Sequence, residues 1–166
     1  MRVWSQAHTY YEQSKVIAEK IAKADSSNAQ AQRDLSIPLN QLGNIAQEMR
    51  EWAQARDYYE QSKDILEKLA KTGPSNINLQ VQSDLSVLLT NLGRVMQSMG
   101  LLSQARAYYQ MAVEHMEVVQ EQARKSGNNT LENEYFGYIK VLHNQIKKIS
   151  KNIIRNLSGI GYQINV

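Results

Sequence analysis

The stretch Leu39 to Tyr59, LNQLGNIAQEMREWAQARDYY, recurs fifty residues later as LTNLGRVMQSMGLLSQARAYY, Leu89 to Tyr109. An internal copy of this kind restricts the chain to architectures made by stacking one unit on the next, because each unit alone leaves an apolar face uncovered. Within each copy the apolar residues recur at three- and four-residue intervals, the spacing of a helix with one buried side. Each copy reads as two amphipathic helices joined by a tight turn, marked by Gly100 in the second copy.

A partial copy opens the chain. WSQAHTYYEQSK, Trp4 to Lys15, matches WAQARDYYEQSK, Trp52 to Lys63, forty-eight residues on. The first helix, over 4–24, therefore reads as the second helix of a hairpin whose first helix is missing. Ala7, Tyr10, Tyr11, Ser14, Ile17, Ala18 and Ile21 form its apolar face. Ser27 or Asn28 then offers an N-cap for a hairpin over 28–71, by accepting the free amide hydrogens of the first turn. Leu35, Leu39, Leu42, Ala46 and Met49 line its first helix, and Pro38 inside it predicts a kink near Asp34 or a helix that effectively starts there. Gly43 and Gly93 occupy the same place in the two copies, which predicts close approach of a neighbouring helix, since glycine otherwise weakens a helix.

Gly73-Pro74 breaks the chain before a second hairpin over 76–125, with Ser75 or Asn76 as its cap. Leu85, Leu89, Leu92, Met96 and Met99 line one helix of it, and Ala105, Tyr108, Tyr109, Ala112, Met116 and Val119 the other. Gly127 and Asn128 suit a left-handed cap. A terminal capping helix follows over 130–157, with Ile146, Ile149, Ile153 and Leu157 as its apolar stripe, and 158–166 read as a flexible tail. In the fifty-residue register Tyr135 stands at Leu85 and Leu142 at Leu92, but His143 replaces Gly93. The whole is one all-α array over 1–157. A long coiled coil is the bland alternative, but it needs heptads without regular interruption, and the spacers argue against it.

Composition narrows the function. With 42% hydrophobic and 21% charged residues the chain is of globular type, and without cysteine it has no disulfide framework and no thiolate metal site. No apolar run approaches a membrane span or a signal peptide, so the expectation is a soluble cytoplasmic protein. His8, His115 and His143 share no motif, and nucleophile-elbow, phosphate-loop, zinc and calcium-loop patterns are absent, so no catalytic residue, metal or cofactor is assigned and an enzyme is not expected.

The spacing Leu39-x2-Leu42-Gly43-x2-Ala46, then Ala55-x3-Tyr59, and its second copy through Leu89, Leu92-Gly93, Met96, Ala105 and Tyr109, resembles the tetratricopeptide repeat. The family's tryptophan and first tyrosine are replaced by leucine and by alanine or methionine. A period of 48 to 50 residues looks like the elongated subclass of bacterial and kinesin-light-chain-like arrays. The resemblance covers residues 4 to 150 and implies a right-handed α-α solenoid with the first helix of each hairpin on a concave face that binds peptides or partner helices.

On that reading the groove residues are Asn40, Gln41, Asn44, Gln47 and Glu48 from one helix, and Thr90, Asn91, Arg94, Gln97 and Ser98 from the other. Side-chain amides suit the task, since they both donate to and accept from a peptide backbone. Asn44 and Asn91 align with the asparagines of the family's carboxylate clamp, but Asn40, Gly137 and Val141 stand where its basic residues belong, which argues against that clamp. Tyr11, Tyr59 and Tyr109 are assigned to the core, with Trp4, Trp52 and Leu102 packed at the hairpin turns.

The partner is thus a protein or peptide, with no small-molecule substrate. A competing reading is an assembly module. Its N-terminal helix face, with Tyr10, Ile17 and Ile21, would be a homo-oligomer interface, because an exposed apolar patch usually marks one. The basic last helix is the other feature that could recruit a partner. No acidic residue follows Glu134, while Lys140, Lys147, Lys148, Lys151 and Arg155 add five positive charges, leaving 14 basic against 16 acidic residues elsewhere. It could meet an acidic protein, a membrane surface or nucleic acid. Its basic stretch, residues 140–155, carries no interleaved aromatics, which argues against nucleic acid, and the bland reading is a solvated cap.

Overall fold

The computed structural model describes residues 2–161, without the side chains of residues 2, 3, 75–77 and 158–161. Among the described residues six helices follow one another: α1 (Arg2–Ala24), α2 (Ala29–Glu48), α3 (Trp52–Thr72), α4 (Ser75–Ser98), α5 (Leu102–Lys125) and α6 (Asn129–Gly161). Each packs on its chain neighbour, and the largest contacts lie within the two hairpins, α2 on α3 and α4 on α5. This is an all-α solenoid of antiparallel hairpins. Beyond chain neighbours, the backbones of α2 and α4 also come close, whereas those of α1, α3 and α5 stand further apart. The first helices therefore crowd together on the inner side of the array and the second helices spread over the outer side.

The core is one cluster running through the hairpins. Tyr59, Leu66, Leu85, Leu92, Met96, Tyr109 and Val119 are all closed to solvent. Burial follows the helical period that the sequence displays: Ala55, Tyr59, Ser62, Leu66 and Leu69 on α3, and Ala105, Tyr109, Ala112, Met116 and Val119 on α5. Both glycines expected to permit close approach do so in the same way. A Cβ on Gly43 would stand 2.5 Å from Cε1 of Tyr59, and one on Gly93 would stand 2.6 Å from Cε1 of Tyr109.

A second repeated device ties one hairpin to the next on the outer side. The Tyr58 hydroxyl donates to Glu12 Oε1 at 2.7 Å, and the Tyr108 hydroxyl donates to Glu60. In each case a lysine three residues after the glutamate pairs with it, Lys15 at 3.8 Å and Lys63 at 2.6 Å. The same lysine lies 5.9 Å from the centroid of the tyrosine ring that its glutamate holds. The Tyr-Tyr-Glu-x-x-Lys text is thus an inter-repeat clamp.

Helix ends show which local expectations stand. Asn28 caps α2, its Oδ1 accepting from the Ala31 N–H at 3.0 Å, while Ser27 turns to Asp25 instead. At α4 the cap is Pro74, which makes no side-chain cap bond, so neither Ser75 nor Asn76 holds that place, and their side chains fall outside the described residues. Gly127 adopts φ +71° after α5, and the Asn128 N–H reaches back to the Ala123 carbonyl at 2.9 Å. Asn128 itself caps α6 through the Leu131 N–H rather than taking the left-handed position. Pro38 does not start α2. The helix begins nine residues earlier, at Ala29, and runs through the buried proline.

Three packing expectations are corrected. Trp4 is 42% exposed and Tyr11 only half-buried, because no helix among the described residues lies in front of α1 to cover them. Met49 is 46% exposed, since it forms the C-cap of α2, where the chain already turns out toward α3. On α6, Ile149 is buried and Ile146 and Ile153 pack partly on the core, but Leu157 is exposed beyond the helices that could cover it. The helix continues to Gly161, into the stretch from residue 158 that the sequence reads as a tail; residues 162–166 lie outside the described residues.

Candidate functional site

The inner face is built from α2 and α4, with α6 beyond. On α2 the leucine stripe points into the hairpin, which turns Asn40, Gln41, Asn44 and Gln47 half outward. Thr90, Asn91 and Gln97 sit likewise on α4, while Glu48, Arg94 and Ser98 are exposed. The two rows are thus brought onto one side of the molecule, as their matched register requires.

They are not all equally free. Asn44 is a junction: its Oδ1 accepts from the Tyr59 hydroxyl at 2.7 Å and from Asn91 Nδ2 at 3.3 Å, and its Nδ2 donates to Gln41 Oε1 at 3.2 Å. Gln97 accepts from the Tyr109 hydroxyl at 3.2 Å. These amides fix the core tyrosines that the glycines admit, so part of the polar row is structural. Asn40 Oδ1 and Gln47 Oε1 are closed to solvent and have no hydrogen-bond partner among the described residues. An unmet buried acceptor costs about 1–3 kcal/mol.

The exposed charges of these two rows are Glu48 and, on α4, Arg94. Arg94 makes no ion pair among the described residues. It lies close enough to both core tyrosines to act on their hydroxyls. Burial pushes the Tyr59 hydroxyl well above the usual tyrosine range, with Arg94 opposing and Glu48 adding to the shift. Tyr109 is raised by burial and eased by Arg94 alone. By contrast, Arg33 is already neutralised at the other end of the face, bonded from α2 to Asp84 of α4 at 2.7 Å.

Arg94 opens into a cleft of about 460 Å³ between α4 and α6, lined also by Thr90, Gln97, Ser98, Val141 and Gln145. The α6 residues were not assigned to the groove from sequence. The fifty-residue register that places Val141 at Asn91 and Gln145 at Val95 carried the signal. A cleft of similar size, about 480 Å³, lies between the α1–α2 loop and the end of α3, lined among others by Gln32, Asp64, Lys68 and Thr72 and by none of the α2 and α4 residues named above.

Among the described residues no group of three metal-ligating side chains occurs, and no helix is long and apolar enough to cross a membrane. His8, His115 and His143 sit on α1, α5 and α6, and His115 is half-buried against Gln82. Lys140, Lys147, Lys148, Lys151 and Arg155 are all exposed along α6. Tyr10, Ile17 and Ile21 are 70%, 59% and 56% exposed on α1.

No curated protein matches the chain. Residues 39–73, the second half of α2 with α3, match the family model described as Tetratricopeptide repeat. That match and the repeated helical hairpins together support a tetratricopeptide-repeat protein, whose repeats in general mediate protein–protein interaction.

Proposed function

We propose that this chain is a non-catalytic protein-interaction scaffold that takes a peptide or partner helix along the inner face formed by α2, α4 and α6. The observation that carries the reading is Arg94, an exposed guanidinium without an ion pair among the described residues, at a cleft whose other walls are amides and hydroxyls together with Val141 and Leu142. A guanidinium recognises a carboxylate through two parallel hydrogen bonds, so the segment bound there carries an acidic side chain or a chain terminus. Asn40, Gln47 and Thr90 supply backbone recognition on either side, and Asn44 and Asn91 hold the floor rigid. The 48 to 50 residue period supports a place in an elongated-repeat subclass similar to kinesin-light-chain arrays.

A peptide array probed with the full chain tests this reading. Acidic peptides should bind, and Arg94→Glu should abolish that binding while leaving thermal unfolding within the small range of surface substitutions, about 0.5 kcal/mol. Retention of the same peptides by Arg94→Glu would remove the cleft as the working surface. Selection of no peptide by the wild type would remove the groove reading altogether.

A further inference from the structure

We propose, resting on the groove reading above, that the segment held there is acidic over several residues and runs from the Arg94 cleft along the basic ridge of α6. Val141 and Gln145 line that cleft from α6. Residues three and four apart are neighbours on a helix surface, so Lys148, Asn152 and Arg155 continue the ridge that Val141 and Gln145 begin. Val141, Lys148 and Arg155 are exposed along it. From Val141 to Arg155 the ridge runs about 21 Å, the reach of about six extended residues.

The fold leaves the charge of this ridge unanswered. Lys148 and Arg155, with Lys147 and Lys151 beside them, are exposed and in no ion pair among the described residues. Lys15, Lys63 and Lys125, by contrast, each meet a glutamate one turn away on their own helix. No acidic residue follows Glu134, so α6 has no such partner to offer over this stretch. Charge also sets the direction. Glu48 is exposed on α2, which lies on the other side of α4 from the cleft with α6. An anionic segment entering at Arg94 is repelled on the α2 side and attracted on the α6 side. Its acidic part therefore lies toward α6, and the amides of α2 meet an uncharged part.

The same features single out a polypeptide among anionic partners. An amphipathic helix binds a membrane surface through its apolar face. That face of α6 is occupied, with Ile149 buried and Ile146 and Ile153 packed on the core. Nucleic acid is a long polyanion and would run on past the ridge. There it would meet the rest of the chain, which without Lys140 and these four cations has 14 basic against 16 acidic residues. Nor does any aromatic residue between Lys140 and Arg155 offer a base a surface to stack on. A short acidic segment fits both parts of the site, its backbone meeting the amides and hydroxyls of the cleft and its carboxylates the ridge.

The test uses the full chain and two fluorescent peptides of equal length built of glycine and serine, one carrying a single glutamate and the other four. At low salt the four-glutamate peptide should bind at least about fivefold more tightly, the gain from a few exposed ion pairs. Raising the salt should shrink that preference. Lys148→Gln with Arg155→Gln should remove most of it, with Lys147→Gln and Lys151→Gln as a second pair should the first disturb folding. Arg94→Glu should weaken the binding of both peptides. Lys20→Gln with Lys23→Gln lowers the net charge equally at exposed positions of α1 and should leave the preference as it is. A single-glutamate peptide that binds through Arg94, with no gain from three further glutamates, would overturn the ridge and leave the groove reading intact. Binding that Arg94→Glu does not weaken, or no binding of either peptide, would overturn both. An equal loss of preference in the α1 variant would mean that net charge alone is at work, and would also overturn the ridge. Vesicles of phosphatidylcholine with phosphatidylserine and a DNA duplex are titrated alongside. Tighter binding of either, lost in Lys148→Gln with Arg155→Gln, would make a membrane or nucleic acid the occupant in place of an acidic segment.

Discussion

The ring of Tyr59 lies against Gly43, so that a methyl group on the glycine would come within 2.5 Å of Cε1 and 2.6 Å of Cδ1. Tyr59 is fully buried and its hydroxyl is fixed on Asn44, so the ring has no free direction in which to retreat. Two effects oppose each other in Gly43→Ala. Alanine improves helix propensity by about 1 kcal/mol. Overpacking a filled site costs about 1–3 kcal/mol, and here the obstacle is the body of a ring rather than the end of a flexible chain. Gly43→Ala should therefore be destabilising. Gly137, inside α6 with nothing within 4 Å of its would-be Cβ, supplies the contrast. Gly137→Ala should gain up to about 1 kcal/mol. Denaturant midpoints at constant slope read both signs, and a stabilised Gly43→Ala would show that the ring is free to move.

The sequence made this contact half legible. Two glycines at one register position announced a close approach, because a mid-helix glycine has no local justification. That the approaching group is the second tyrosine of each pair could not be read, since it depends on the rotation of α3 about its own axis. The hairpins and the core face were legible throughout, because burial in α3 and α5 follows a period written into residues 55–69 and 105–119. What escaped lies between repeats. Tyr58 meets Glu12 across 46 residues of chain, and Val141 and Gln145 join Arg94 only once α6 is set beside α4. Contacts of this kind depend on how one hairpin is stacked on the next, and periodicity within a helix carries no record of that angle. Trp4 failed for the opposite reason: its register was read correctly, but the element that would cover it is not among the described residues.

Arg50 and Gly100 stand at the same point of the two hairpin turns, with φ of 61° and 77°. In both turns the next amide reaches back to the helix, Glu51 N to the Ala46 carbonyl at 2.8 Å and Leu101 N to the Met96 carbonyl at 2.9 Å. The left-handed conformation costs an L side chain about 1–2 kcal/mol, and glycine escapes that cost. Glycine also loosens the unfolded chain by about 0.4–1 kcal/mol. The difference favours Arg50→Gly by somewhat under about 1 kcal/mol, a rise of about 2–4 °C in Tm per kcal/mol for a chain of this size. Gly100→Ala should move Tm the other way. A fall in Tm for Arg50→Gly would mean that the arginine side chain contributes more than its backbone strain costs.

The outer clamps make the fold sensitive to alkali. Burial pushes the hydroxyl of Tyr108 well above the usual tyrosine range, and its bond to the Glu60 carboxylate pushes it further; Tyr58 is raised in the same way by burial and by Glu12. Burial works against the charge of Lys63, but its bond to Glu60 prevails and its pKa is raised as well. All three groups hold their protons more tightly folded than unfolded. Their contribution to stability is therefore complete below the unfolded tyrosine value of about 10, and is lost as pH rises from there toward the folded values. Tm should fall steeply from about pH 10 upward. Tyr108→Phe removes one of the titrating groups and should flatten that fall, while costing about 1 kcal/mol near neutrality for the lost hydrogen bond. Glu60→Gln should bring the ionisation of Tyr108 to lower pH in a tyrosinate absorbance titration without returning it to the usual value, because burial remains. If both variants keep the alkaline slope of the wild type, the clamp is not what the alkali titrates.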